Sequence, residues 1–169
     1  TKVADVDFNV ENINLCIDEA YDKEVKYLVF PELAVTSYTC GDLFLNSALL
    51  NASINGIKNI VEHSLYKDML ITIGAPLLHN NVLYNCAYMI FNGKILGIVP
   101  KSYIPNYSEF YEKRWFTEGV NVIDETTSLP FQDNIPFGTN LIFAAGEARF
   151  GVEVCEDLWV TIPPSSYLS

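Results

Sequence analysis

The chain has 169 residues, of which 50% are apolar and 13% aromatic, enough to build one sizeable core. Its 10 basic and 21 acidic residues give a net charge of −11 without a dense Lys/Arg run, which argues against nucleic acid or an anionic membrane surface as a partner. The longest apolar stretches, such as 69–78, fall well short of a bilayer span, and the opening Thr-Lys-Val-Ala-Asp lacks the basic start and apolar run of a secretory leader.

Val10, Ile13, Leu15, Ile17, Ala20 and Tyr21 recur at roughly helical spacing and predict a helix over residues 9–26. The compact run Tyr27-Leu-Val-Phe30 predicts a buried strand, stopped by Pro31 with Glu32 immediately after it. A second helix is expected over 46–67, with Leu49, Leu50, Ile54, Ile57, Ile60 and Val61 inward, and the next strand over 69–76. The runs 82–91 and 94–99 flank Asn92-Gly93, the dipeptide that best supplies the positive φ angles of a tight turn, and predict a hairpin. Residues 101–116 are rich in Tyr, Pro, Asn and Glu without a period and predict a loop with a short helix. A stretch this aromatic is seldom mere connection. Beyond a Pro/Gly/Asn-bearing segment at 130–140, the runs 141–145 and 149–154 predict two more strands around Gly146, the second ending at Cys155.

No repeat or low-complexity tract interrupts this order, which predicts an α/β or layered α+β fold on a mixed sheet. The chain opens with barely a strand before its first helix and ends on Pro163-Pro164-Ser-Ser-Tyr-Leu-Ser, which reads as the start of another element. Both features suggest part of a longer domain.

Cys16, Cys40, Cys86 and Cys155 are widely spaced and form no C-x-x-C pair, so a structural zinc site is disfavoured. Reduced thiols in a cytoplasmic protein are the simpler reading. Cys16, Cys40 and Cys86 read as core residues, while the only histidines, His63 and His79, read as helix-surface and turn residues. Few imidazoles are therefore available as a base.

Glu32, Lys101 and Cys155 share one positional feature: each stands at the exit of an apolar strand. Strand exits on one sheet edge can converge, and α/β folds commonly hold their ligands there. The trio is chemically coherent. A cysteine is the nucleophile, a lysine lowers its pKa and attracts the oxyanion of acyl transfer, and a carboxylate moves the protons. The acids of Glu156-Asp-Leu-Trp sit where a helix first turn would favour them, and a helix there would add N–H donors for an oxyanion. Taken singly, each residue has a plain alternative: a small core thiol, a solvated loop acid, a surface lysine. Tyr38, Tyr103, Tyr107, Phe110, Tyr111, Trp115 and Phe116 read equally well as packing residues or as pocket lining.

Three segments resemble, in order, the motifs of the nitrilase superfamily of carbon–nitrogen hydrolases. Phe30-Pro-Glu-Leu-Ala-Val-Thr-Ser-Tyr38 is similar to its glutamate motif, Val99-Pro-Lys-Ser-Tyr-Ile-Pro-Asn-Tyr107 to its lysine motif, and Gly151-Val-Glu-Val-Cys-Glu-Asp-Leu-Trp159 to its cysteine motif. The continuations Cys40-Gly-Asp-Leu-Phe, Pro105-Asn-Tyr-Ser-Glu-Phe-Tyr-Glu-Lys-Arg-Trp-Phe116 and Cys155-Glu-Asp-Leu-Trp look like those of the glutaminase branch found in glutamine-dependent NAD synthetases.

The resemblance spans essentially the whole chain and implies part of a four-layer αββα sandwich, truncated at the first strand and after the midpoint. It implies hydrolysis of glutamine through a glutamyl thioester, with Cys155 as nucleophile, Glu32 as base, Lys101 as oxyanion partner and Glu109 as a supporting second glutamate. Tyr38, Tyr107 and Glu156 would shape the glutamine pocket, the backbone N–H of Glu156 serving as an oxyanion donor. The implied partner is a synthetase domain of the same polypeptide, which would take the ammonia and hold ATP, magnesium and deamido-NAD. No cofactor is implied for residues 1–169 themselves, and a homo-oligomer is expected. The other readings are a free-standing amidase acting on another small amide, and an inactive binding or scaffold domain.

Overall fold

Asp5 opens the first helix by accepting a hydrogen bond from the Phe8 N–H at 3.2 Å, so α1 runs Val6–Asp22, starting and ending earlier than its apolar spacing predicts. The computed structural model describes residues 1–168, all but the last of the chain. Lys23 closes α1, and Glu24 at φ +58° turns the chain into the short strand β1, Tyr27–Val29. Asn46 caps α2, Ser47–His63, by accepting from the Ala48 N–H at 2.8 Å. That helix stops short of Lys67 because the chain turns at Tyr66, φ +64°.

Strands β2, Leu70–His79, β3, Val82–Phe91, and β4, Lys94–Pro100, then form a meander. Its second turn is the expected Asn92-Gly93, at φ +46° and +75°. Its first turn, Asn80-Asn81 at +50° and +62°, extends β2 beyond the expected end at Pro76. Asparagine tolerates the left-handed region, so two such residues do the work of Asn-Gly.

Two strands were not legible at all. β5, Glu125–Leu129, in a stretch given no element, and β6, Gln132–Phe137, within the Pro/Gly/Asn-bearing segment at 130–140, pair antiparallel. Only Thr127, Leu129, Ile135 and Phe137 face inward, and Pro136 sits within β6, so polar alternation and a proline mask the strand pattern. The resulting sheet has six strands in the order β1-β2-β3-β4-β6-β5, parallel at β1/β2 and β4/β6 and antiparallel elsewhere.

One sheet face carries Ile71, Ile73, Tyr88, Ile90 and Ile98 into a core closed by Val10, Ile13 and Ile17 of α1 and Ile57, Ile60 and Val61 of α2. Leu15 and Cys16 are exposed, against the expectation that the Cys16 thiol is a core group, because they fall on the outer side of α1. Cys40 and Cys86 are buried as expected. The opposite sheet face presents Leu70, Met89 and Val99, packed by Phe143, Phe150 and Val152. Phe143 and Phe150 belong to a separate hairpin, β7 Phe143–Ala145 and β8 Ala148–Phe150, shorter than the strands expected at 141–145 and 149–154, and Val152 follows it. From Gly151 to Val154 the chain runs on without sheet pairing. The short helix α3, Ser165–Leu168, closes the described chain, and no described helix is long and apolar enough to cross a membrane.

Candidate active site

Because β1 and β2 are parallel while β2, β3 and β4 alternate, β1 and β4 point the same way and end at one sheet edge. Glu32 leaves the end of β1 and Lys101 the end of β4, and the Gly151–Val154 segment delivers Cys155 to the same edge. The Glu32 loop lies directly on β2 at Gly74. A Cβ there would stand 2.3 Å from the Leu33 N and 2.8 Å from the Glu32 Cα, so only glycine permits the approach.

The Lys101 ammonium is wholly buried. It donates to Glu32 Oε1 at 2.7 Å and to Glu112 Oε1 at 2.8 Å. Burial opposes its charge, and the two carboxylates more than offset that, holding its pKa above the ordinary lysine value. Removing the lysine would leave two facing carboxylates uncompensated, a change that costs about 3–5 kcal/mol.

Glu112 rather than Glu109 is the second carboxylate on the lysine, which corrects the placement expected from the sequence. Glu109 is exposed on the surface, its carboxyl held below the usual value by Ser108, whereas Glu112 is 2% exposed. The loop over 101–116 carries both acids without a period that would choose between them. What chooses is the single 3-10 turn at Glu112–Arg114, anchored outside by Arg114 and the Trp115 Nε1, which donate to Asp42 at 2.6–2.9 Å. Phe44 packs on the Trp115 and Phe116 rings behind it.

Tyr38 donates its O–H to Glu112 Oε1 at 2.7 Å; burial first, and then Glu112, push its phenol well above the usual range. Tyr107 donates to Glu156 Oε2 at 2.8 Å on the exposed side of the site, next to Cys155 in the chain. Asn85 of β3, read in the sequence only as part of an apolar run, donates from Nδ2 to Glu32 Oε1 at 2.6 Å and lies 3.4 Å from Glu112 Oε2. A polar residue inside a buried strand was the one signal that could have found it.

Cys155 has φ +49°, a left-handed conformation that costs a non-glycine residue ~1–3 kcal/mol and marks a sharp elbow. The expected helix is a single 3-10 turn, Cys155–Leu158, and the acids within it have another use. Asp157, 1% exposed, accepts from the Val154 N–H at 3.0 Å, the Ser102 N–H at 3.2 Å and the Tyr103 N–H at 2.8 Å. One carboxylate thus ties the cysteine elbow to the chain just after Lys101. Burial raises its pKa against these three donors.

The thiol itself is held above the ordinary cysteine value, by burial first and then by the charge of Glu32. Lys101 lowers it, as expected, but is outweighed. The resting group is therefore a thiol that shares a cavity with the Glu32 carboxylate. A cavity of about 130 Å³ opens beside it, lined by Pro31, Glu32, Gly74, Cys86, Val154 and Cys155 among others. A wider depression of about 490 Å³ between α1 and α2 is lined by Asp7, Glu11 and several asparagines and offers no nucleophile.

The carbon-nitrogen hydrolase family model matches residues 1–161 of this sequence. A glutamine-dependent NAD(+) synthetase of Mycobacterium bovis is 35% identical over 98% of the chain, which corresponds to 25% of that protein. The chain therefore spans about a quarter of the length of the curated relatives it matches. The crystal structure of a glutamine-dependent NAD(+) synthetase from Cytophaga hutchinsonii superposes with a TM-score of 0.79 at 32% identity, covering 92% of this chain and 26% of that one. An amidase of the nitrilase superfamily from Nesterenkonia shares the fold, with a TM-score of 0.74 at 14% identity over 95% of this chain and 54% of its own.

Proposed function

Because the chain belongs to the carbon–nitrogen hydrolase family, we propose that this site hydrolyses the side-chain amide of glutamine through an acyl-thioester on Cys155. The observation that carries the chemistry is the buried Lys101 ammonium held between Glu32 and Glu112, with Glu32 and Cys155 lining one cavity. The relatives named for glutamine dependence carry the substrate.

The steps follow from the protonation states. Glu32 takes the thiol proton as the sulfur attacks the amide carbon, since the raised thiol pKa leaves little preformed thiolate. The C=O π bond opens to an oxyanion, stabilised by Lys101 and by the Glu156 N–H. Collapse breaks the C–N bond, Glu32 returns its proton to the leaving nitrogen, and ammonia departs from a thioester. Water, deprotonated by Glu32, then attacks that thioester, and glutamate leaves as the sulfur is reprotonated. Lys101 stays charged throughout, because both carboxylates hold its proton.

Tyr38, Tyr107 and Glu156 would shape the glutamine pocket, the Tyr107–Glu156 pair standing on its exposed side. In the intact polypeptide the ammonia would feed a synthetase domain that binds ATP, magnesium and deamido-NAD, and free thiols suit a cytoplasmic setting. The test is the intact protein carrying Cys155→Ala. Glutamine-dependent NAD formation should fall by at least about a thousandfold, while ammonia-dependent formation stays within about twofold. Loss of both activities would refute the division of labour.

A further inference from the structure

Glu32 has two carboxylate oxygens, and they are not equivalent. Oε1 accepts from the Lys101 Nζ at 2.7 Å and from the Asn85 Nδ2 at 2.6 Å, which fills its lone pairs. Oε2 is therefore the carboxylate oxygen left open toward Cys155, which lines the same cavity as Glu32. Lys101 alone does not enforce this, since an ammonium can swing between oxygens. Asn85 does.

Asn85 is 1% exposed and fixed in β3, where its backbone O accepts from the Lys101 N–H at 2.8 Å. Its amide faces two carboxylates, Glu32 and Glu112, which in their ionised forms only accept. The NH2 end must point at them, and a turned amide would set its oxygen against both. The orientation is kept although Asn85 Oδ1 is buried without a hydrogen-bond donor among the described residues. A buried acceptor left in this state beside reacting groups marks a side chain selected for what its other end does.

We propose that Asn85 is a positioning residue for the hydrolysis, occupying Oε1 of Glu32 so that Oε2 is the oxygen that exchanges protons with Cys155, the substrate nitrogen and water. The inference rests on the amide-hydrolase reading of the site. Asn85 acts through Glu32 and touches no substrate atom, so its loss alters proton transfer and leaves binding unchanged. An N–H donor favours the ionised form of the carboxylate it bonds, so losing it moves the protonation of the base to higher pH.

The test is steady-state glutamine hydrolysis by the intact polypeptide as wild type, Asn85→Leu and Asn85→Ser, across pH. In Asn85→Leu, kcat should fall roughly tenfold or more, with KM within about twofold. The acid limb of kcat/KM should move up by about one pH unit. Asn85→Ser, which keeps an O–H donor and polarity in the strand, should show the same changes to a smaller extent and gives the answer if the leucine variant fails to fold. A folded variant with an unmoved acid limb overturns the proposal, whether kcat holds or falls, since a purely structural role lowers active enzyme without shifting that limb. A wild type that does not hydrolyse the amide removes the functional reading and this inference together. An active wild type with unaffected variants removes this inference alone.

Discussion

Cys155, Glu32 and Lys101 share out a proton problem that none of them solves singly. A lysine beside a thiol ordinarily favours thiolate, yet here burial and the Glu32 charge hold the thiol above its usual value. The thiol is therefore protonated at neutral pH and titrates only at alkaline pH. Replacing Glu32 by Gln removes the charge and the acceptor together while keeping the shape, so the titration should move to lower pH. The measurement is the pH profile of Cys155 alkylation by iodoacetamide, read on the peptide that contains it. A midpoint unmoved or raised in Glu32→Gln would contradict the assignment. The sequence marked this trio by expected strand exits and motif resemblance; the structure brings the three to one end of the sheet, with Cys155 delivered by an unpaired segment and not by a strand. Glu112 and Asp157 act through contacts across more than one element that no spacing reveals, and Asn85 carries only the mark of a polar residue inside an apolar run.

At the scale of elements, the site depends on how three connections are held at one sheet edge. The helices and the β3/β4 hairpin were legible because apolar periodicity and Asn92-Gly93 are local signals. The β5/β6 pair was not, since its inward residues alternate with polar ones and Pro136 interrupts it. The cysteine connection was half legible: an extended approach was expected, but not the φ +49° elbow or the carboxylate that holds it. Asp157 satisfies three backbone N–H groups from two separate loops, so Asp157→Ala should orphan all three and release the elbow. Stability should fall by ~2–4 kcal/mol in chemical denaturation, with amide hydrolysis lost in the folded fraction. Asp157→Asn should lie between, because a carboxamide has one acceptor oxygen for donors that approach both oxygens of the acid. An alanine variant with wild-type stability would show that the elbow is held elsewhere.

For the whole molecule, helices cover one face of a six-stranded sheet, and the reactive groups stand at the edge where its parallel strands end. The depression between α1 and α2 offers no nucleophile, and the fold is that of its carbon–nitrogen hydrolase relatives. In the chemistry proposed above, Cys155 is the nucleophile toward a glutamine amide. The most direct measurement is labelling of the intact polypeptide by a glutamine-shaped α-diazo ketone, located by peptide mass spectrometry. One covalent adduct on Cys155 is predicted, suppressed by excess glutamine and absent in Lys101→Met. Labelling of the exposed Cys16 instead, or labelling of Cys155 that glutamine does not suppress, would contradict it.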